Sequence, residues 1–351
     1  MIYILISIFT LFCFVFPKSK IISLGGFVLL WILWGWNSWN GDYESYEEIY
    51  YSIGSYGLDV STFEKGYKFF NSIIFGLGFE YQSFMIIYSF IILTIIYFFV
   101  RQSTYSALFT LFYFIIFIMS YVFLRNYFAD ALFLHFVLLS YNLKNSKKRN
   151  VIISILLFTI AFFFHSTALL FFVFLLVYFE KLNTKRLLFL ILALVILLFS
   201  SVGVFLSIFS DVSITSKIQH YQSDVNPIGP ALSHLIIALI PTLFTHLNQK
   251  LDFDFRQKYL IYMFQRINII SLIYIPLYFV IPDFSRFFKL LFTLNIFFLL
   301  ELFVIYKSSK ERFILISIFI GIYMILLYQF SFSTLEFTLI PLFDSNLIFT
   351  K

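Results

Sequence analysis

The chain has 351 residues, of which 61% are hydrophobic and 12% charged, with a mean hydropathy of +0.95. Soluble domains are about half apolar and a quarter charged, so this composition excludes a soluble globular protein and indicates a chain that crosses a membrane many times. The formal net charge of +6 does not point to nucleic acid, because most basic residues fall in short loops between apolar runs, where they set topology.

Ile2 to Phe16 and Ile21 to Trp36 are the first two predicted spans. Pro17, Lys18 and Lys20 between them belong in the cytoplasm by the positive-inside rule. The lysines follow the first apolar run, with no small-residue cleavage site, a pattern unlike a cleaved signal peptide. Cys13, the single cysteine, lies within that run, which excludes an intrachain disulfide and a thiolate metal site.

Residues 37–83 form the longest polar stretch, rich in tryptophan, tyrosine and acids, and are placed outside. Tyr43, Tyr46 and Tyr50 follow the i, i+3, i+7 spacing of an amphipathic helix over Asp42 to Ser52, which Gly54 and Gly57 are expected to break. Phe63 to Phe79 is half polar, suited to the membrane surface or to a re-entrant path.

Phe84 to Val100 returns to the cytoplasm at Arg101, and Ser106 to Phe123 goes out again. A hairpin over Leu124 to Phe172 follows, its two apolar runs joined by the cytoplasmic cluster Lys144, Lys147, Lys148 and Arg149. Thr167 to Phe179 leads in, Leu187 to Phe209 leads out, and residues 210–230 make a second outer loop. Ala231 to Leu247, Tyr259 to Val280, Phe287 to Tyr306 and Phe313 to Phe330 complete about twelve predicted spans in one integral all-α domain over 1–351, both termini outside.

Nearly every lysine and arginine then lies inside, while Asp42, Glu44, Glu47, Glu48, Asp59, Glu64 and Glu80 make the aromatic outer loop acidic. Among the outward-facing exceptions Arg125 and Arg286 stand out, because topology does not explain them. At 1.5 Å per residue Arg125 lies roughly 30 Å from the cytoplasmic turn of its hairpin and His165 roughly 20 to 25 Å from it. Polar groups at such depth are costly to hold, so an outward-opening cleft is the expected functional site.

Arginine's planar fork suits bidentate binding of a pyrophosphate by Arg125 and Arg286; the plainer reading is interfacial snorkelling, or pairing with Asp130 and Asp283. His165 suits a general base, a phosphate donor or a gate, against a structural interhelical histidine. Asp42 or Glu64 could deprotonate a sugar hydroxyl, with Tyr43, Tyr46 and Tyr67 stacking on sugar rings, against a merely solvated loop. Asp252-Phe253-Asp254 has the D-x-D pattern of metal-holding transferases, yet it stands in a short cytoplasmic segment without a nucleotide-binding domain and is set aside. Neither a phosphate-binding glycine loop nor H-E-x-x-H is present, so no cofactor and no metal is expected.

In succession, Gly41-Asp42-Tyr43 with Tyr46 and Tyr50, Glu64-Lys65-Gly66-Tyr67, Leu124-Arg125-Asn126-Tyr127-Phe128-Ala129 and Ala161-Phe162-Phe163-Phe164-His165-Ser166-Thr167-Ala168 resemble the bacterial polysaccharide polymerases of the EpsG and Wzy kind. Ser285-Arg286-Phe287 extends the resemblance into the later half, whereas Asp130 departs from the small apolar residues that usually follow the family's arginine. The resemblance implies a glycosyltransferase of the bacterial cytoplasmic membrane. It would join oligosaccharide repeat units carried on undecaprenyl pyrophosphate into O-antigen, capsule or exopolysaccharide at the outer face, among membrane lipids, with a flippase and a chain-length regulator as possible partners and no nucleotide sugar consumed. Two rival readings remain, a lipid-linked-oligosaccharide flippase and a membrane acyltransferase. A transporter would favour charges near the bilayer midplane, which is nearly bare here.

Overall fold

The computed structural model describes residues 2–141, 146–179, 183–208, 227–247, 255–279, 287–306, 308–331 and 339–349. Among them the regular elements are helices, and the β-structure amounts to one isolated bridge. Spanning a hydrocarbon core needs about 20 apolar residues. Tyr81–Val100, Ser120–Ser140 and Gln257–Tyr278 meet that length and apolarity, and shorter apolar helices include Ile2–Val15, Lys20–Gly35, Ser106–Phe117, Ser166–Tyr178, Ile228–Leu243 and Leu290–Ile305. The chain groups into two compact units, one of residues 1–139, 148–172 and 330–351, the other of residues 140–147 and 173–329.

The first unit is built around α2 (Lys20–Gly35), with α1 (Ile2–Val15) preceding it. Leu30, Leu33 and Trp34 of α2 are fully buried. Small residues let its neighbours approach: a Cβ on Gly26 would meet the Phe9 ring and Thr110, and one on Gly35 would meet Ser89 and Ile86. The Ser23 and Thr110 hydroxyls share a 2.6 Å bond, and the Trp31 and Trp34 indoles donate to the carbonyls of Ile86 and Ile118. Each buried polar atom of α2 thus finds a partner on α5 (Tyr81–Val100) or on α6 (Ser106–Phe117) and the 3₁₀ turn after it.

Between α2 and α5 stand α3 (Tyr43–Tyr56) and α4 (Lys65–Gly76). The helix expected over Asp42 to Ser52 is present, but Gly54 does not break it. A Cβ there would sit 2.3 Å from the Phe75 ring, so glycine serves the close packing of α3 on α4. Gly57, at φ 92°, ends the helix in the left-handed conformation that glycine tolerates. The hairpin is α7 (Leu124–Tyr141) and α8 (Lys147–Phe164), followed by a 3₁₀ segment over Ser166–Tyr178.

A short C-terminal helix, Leu339–Asp344, lies beyond the predicted spans and docks on the end of α2. Asn37 Nδ2 donates to the Pro341 carbonyl, Ser38 N and Oγ donate to the Ser345 carbonyl, and Asn346 Nδ2 donates to the Ile32 and Leu33 carbonyls. The Leu33 carbonyl, orphaned at the end of an isolated helix, is met by this remote segment, and the Gly35 carbonyl by Gln82 Nε2.

The second unit comprises α9 (Thr184–Ile208), α10 (Ile228–Leu247), α11 (Phe255–Ser271, continued by short turns to Tyr278), α12 (Phe287–Ile305) and α13 (Ser309–Ser331). Asn268 of α11 and Asn295 of α12 exchange amide hydrogen bonds of 2.9 and 3.0 Å, and Asn295 also donates to the Ile237 carbonyl of α10. His234 is bonded to Tyr278 Oη and Ser271 Oγ. Arg266, fully buried, donates to the carbonyls of Leu176 and Phe179, closing the end of the Ser166–Tyr178 segment. These bonds tie helices together where water is scarce. The loop expected over residues 210–230 lies outside the described residues apart from Pro227 to Pro230, and so do Arg286 and the D-x-D at Asp252 to Asp254.

Candidate functional site

The site grows from the residue before α4. Glu64 has extended backbone (φ −64°, ψ 144°) at the N-cap position, and its side chain does not cap the helix. The carboxylate turns instead to the ends of the hairpin. Its Oε2 accepts from Arg125 Nη1 at 2.8 Å, in the first turn of α7. Its Oε1 accepts from Ser166 N at 3.1 Å and Ser166 Oγ at 3.2 Å, and lies 3.4 Å from His165 Nδ1, just past α8.

Local structure explains the donors. Ser166 opens the 3₁₀ segment, so its N–H has no partner within that segment and is free to bind an anion. Gly66 lets the Glu64 loop approach: a Cβ there would stand 2.7 Å from the Phe163 carbonyl oxygen. Arg125 is roofed by aromatics, with its guanidinium carbon 3.7 Å from the Phe63 ring centre, 5.3 Å from Tyr46 and 5.6 Å from Tyr67. The Tyr46 hydroxyl accepts from Arg125 Nε at 3.0 Å. Desolvated cation–π contacts of this kind are worth about 2 kcal/mol.

The side chains of Arg125, Glu64 and His165 keep 14%, 16% and 16% of their surface. Burial would raise the Glu64 pKa, but the neighbouring His165 imidazole, the Arg125 guanidinium and the Ser166 N–H together hold it well below the usual carboxylate range. A carboxylate so stabilised is a weak base. Arg125 pairs with Glu64, 61 residues away, and two of its five N–H groups go to Tyr46 and Glu64. A guanidinium, a helix-start N–H, a hydroxyl and an imidazole thus converge on one anion, chemistry that equally suits phosphate oxygens.

Asp42, half-buried at the start of α3, lines a cleft of about 10 Å³ with Asn40, Tyr46, Tyr121 and Leu124, the space of about one water. Tyr46 joins this cleft to the Arg125 cluster. Tyr43 and Tyr67 line it too, but at 8% and 2% exposure they are core residues. Tyr43 donates to Gln82 and packs edge-on against Tyr81, while Tyr67 meets Phe84 and Tyr88 edge-on. Neither offers an open ring face for the expected sugar stacking; the exposed tryptophan and tyrosine rings of this region are Trp39, Tyr51 and Tyr56. Arg286 lies outside the described residues.

Phe63, Gly66 and Ser166 gained roles here that spacing did not assign. Their signal was adjacency to candidates already chosen, Phe63 and Gly66 beside Glu64 and Ser166 beside His165. Two further histidines serve packing: His135 bonds the Ile95 carbonyl, and His234 bonds Tyr278 and Ser271.

A family model described as the EpsG family matches residues 20–343. No curated protein and no solved structure matches the chain.

Proposed function

The chain belongs to the EpsG family, and from that membership we propose that it is a multi-span glycosyltransferase of the bacterial cytoplasmic membrane, polymerising oligosaccharide repeat units carried on undecaprenyl pyrophosphate. In this reading about twelve spans carry the chain across the bilayer, and the ends of the hairpin bearing Arg125 and His165 face outward.

The carrying observation is the convergence of Arg125, Ser166 and His165 on one carboxylate. The N–H groups that Arg125 does not give to Tyr46 and Glu64, with the His165 imidazole beside them, receive the donor diphosphate. The acceptor hydroxyl attacks the anomeric carbon, the bond from that carbon to the diphosphate oxygen breaks, and undecaprenyl pyrophosphate leaves with its developing charge held by these donors. Asp42 takes the hydroxyl proton, since Glu64 is too weak a base for the task. Glu64 is a positioning residue that sets the guanidinium and the imidazole. Trp39 and Tyr56 offer the stacking faces that Tyr43 and Tyr67 cannot.

The test is the surface glycan of a strain lacking this protein, complemented with Arg125→Ala. The ladder is expected to collapse to single repeat units with the variant present at normal levels. Full-length chains would refute the reading, complete loss of surface units would favour a flippase, and glycan of normal length lacking acyl groups would favour an acyltransferase.

A further inference from the structure

α4 has 12 residues, so it is about 18 Å long and too short to cross a hydrocarbon core of about 30 Å. One side of it is fully used. Tyr67, Asn71 and Ile74 are buried, Tyr67 and Phe70 pack on Phe84 and Tyr88 of α5, and Phe75 seats against Gly54 of α3. The opposite side carries Lys65, Phe69, Ile73 and Leu77 in a single i, i+4 row, and Phe69, Ile73 and Leu77 are exposed by 60%, 42% and 66%.

That row runs into the membrane-spanning part of the chain. After Leu77 a tight turn with Gly78 at φ 83° leads through Phe79, itself 44% exposed, to Tyr81, the first residue of the candidate span α5. The C-terminal end of α4 is therefore held at the level where α5 enters the bilayer. At its other end the exposed Lys65 offers an ammonium to lipid phosphates.

We propose that α4 lies in the plane of the membrane boundary, with Phe69, Ile73 and Leu77 embedded in lipid and Lys65 at the headgroups. The occupant of this apolar face is the bilayer itself, because the face continues into a span and is headed by a cation, the make-up of an interfacial helix. Glu64 immediately precedes this helix, so α4 fixes the Glu64–Arg125–His165 cluster at headgroup depth, where the anionic part of any lipid-linked molecule lies. The inference does not depend on the polymerase reading, and its test uses no glycan.

The experiment places a nitroxide label at Phe69→Cys, Ile73→Cys and Leu77→Cys, one at a time, in the full chain with Cys13→Ser, or Cys13→Ala should the serine variant misfold. The proteins are reconstituted in phosphatidylcholine–phosphatidylglycerol vesicles. Glu48→Cys, exposed on α3, is the water reference, and Phe90→Cys, exposed on α5, is the lipid reference. At all three positions collisions with oxygen should exceed those with a water-soluble nickel chelate severalfold, as at Phe90. Nickel accessibility like that at Glu48 would overturn the proposal, as would spin–spin broadening between copies or shielding from both reagents.

Discussion

Replacing Glu64 with glutamine isolates the charge of the central carboxylate. The amide oxygen still accepts from Ser166 N and Oγ, so what is lost is the 2.8 Å ion pair with Arg125 and the anionic partner of His165. The two side chains keep 14% and 16% of their surface, so Arg125 becomes a largely buried charge without its counter-ion. Breaking one half of such a pair costs about 3 to 5 kcal/mol when burial is complete, and the residual exposure argues for the lower end, about 3 kcal/mol. Arg125→Met, which keeps the apolar stem against Phe63, strands the carboxylate instead and should cost a similar amount. The double variant strands neither charge, so it should be more stable than the sum of the singles by about 2 kcal/mol. Unfolding of the purified full-length protein by dodecyl sulfate, followed by circular dichroism, measures the cycle. Additive single effects, or an unaltered Glu64→Gln, would refute the claim that this pair organises the site.

The same carboxylate predicts a pH dependence. Its folded pKa is depressed relative to an unfolded value of about 4.3, so its contribution is complete at neutral pH and fades as pH falls through and below the ordinary carboxylate range; Glu64→Gln should abolish that part of the acid loss in a stability–pH titration. Arg125→Lys removes the Tyr46 bond and the planar fork, and the loss of charge-assisted bonds worth about 1.5 to 3 kcal/mol should cut polymer yield about tenfold or more on a glycan gel. Asp42→Asn should lower the polymerisation rate by about 10² to 10⁴ while leaving protein levels unchanged, as expected for loss of a general base, with rate read from glycan accumulation. Gly66→Ala forces a methyl against the Phe163 carbonyl and should destabilise the protein by about 1 to 3 kcal/mol in the dodecyl sulfate titration.

Class and local structure were legible in the residues because they depend on composition and on short-range periodicity. Apolar runs became helices at nearly the predicted positions, the tyrosine spacing marked α3, and Lys147, Lys148 and Arg149 marked the start of α8, whose far end brings His165 to the same carboxylate as Arg125. The pairing of Glu64 with Arg125 and Ser166 was decided by tertiary structure, since residues 61 and 102 positions apart carry no local sign of contact. So were the burial of Tyr43 and Tyr67, the packing use of Gly54 and the docking of the C-terminal helix on α2. Each depends on which surfaces face one another once the helices are packed. A tyrosine chosen for its polar hydroxyl and a glycine chosen as a breaker read the same in the chain whether water or another ring lies against them, and only packing distinguishes the two.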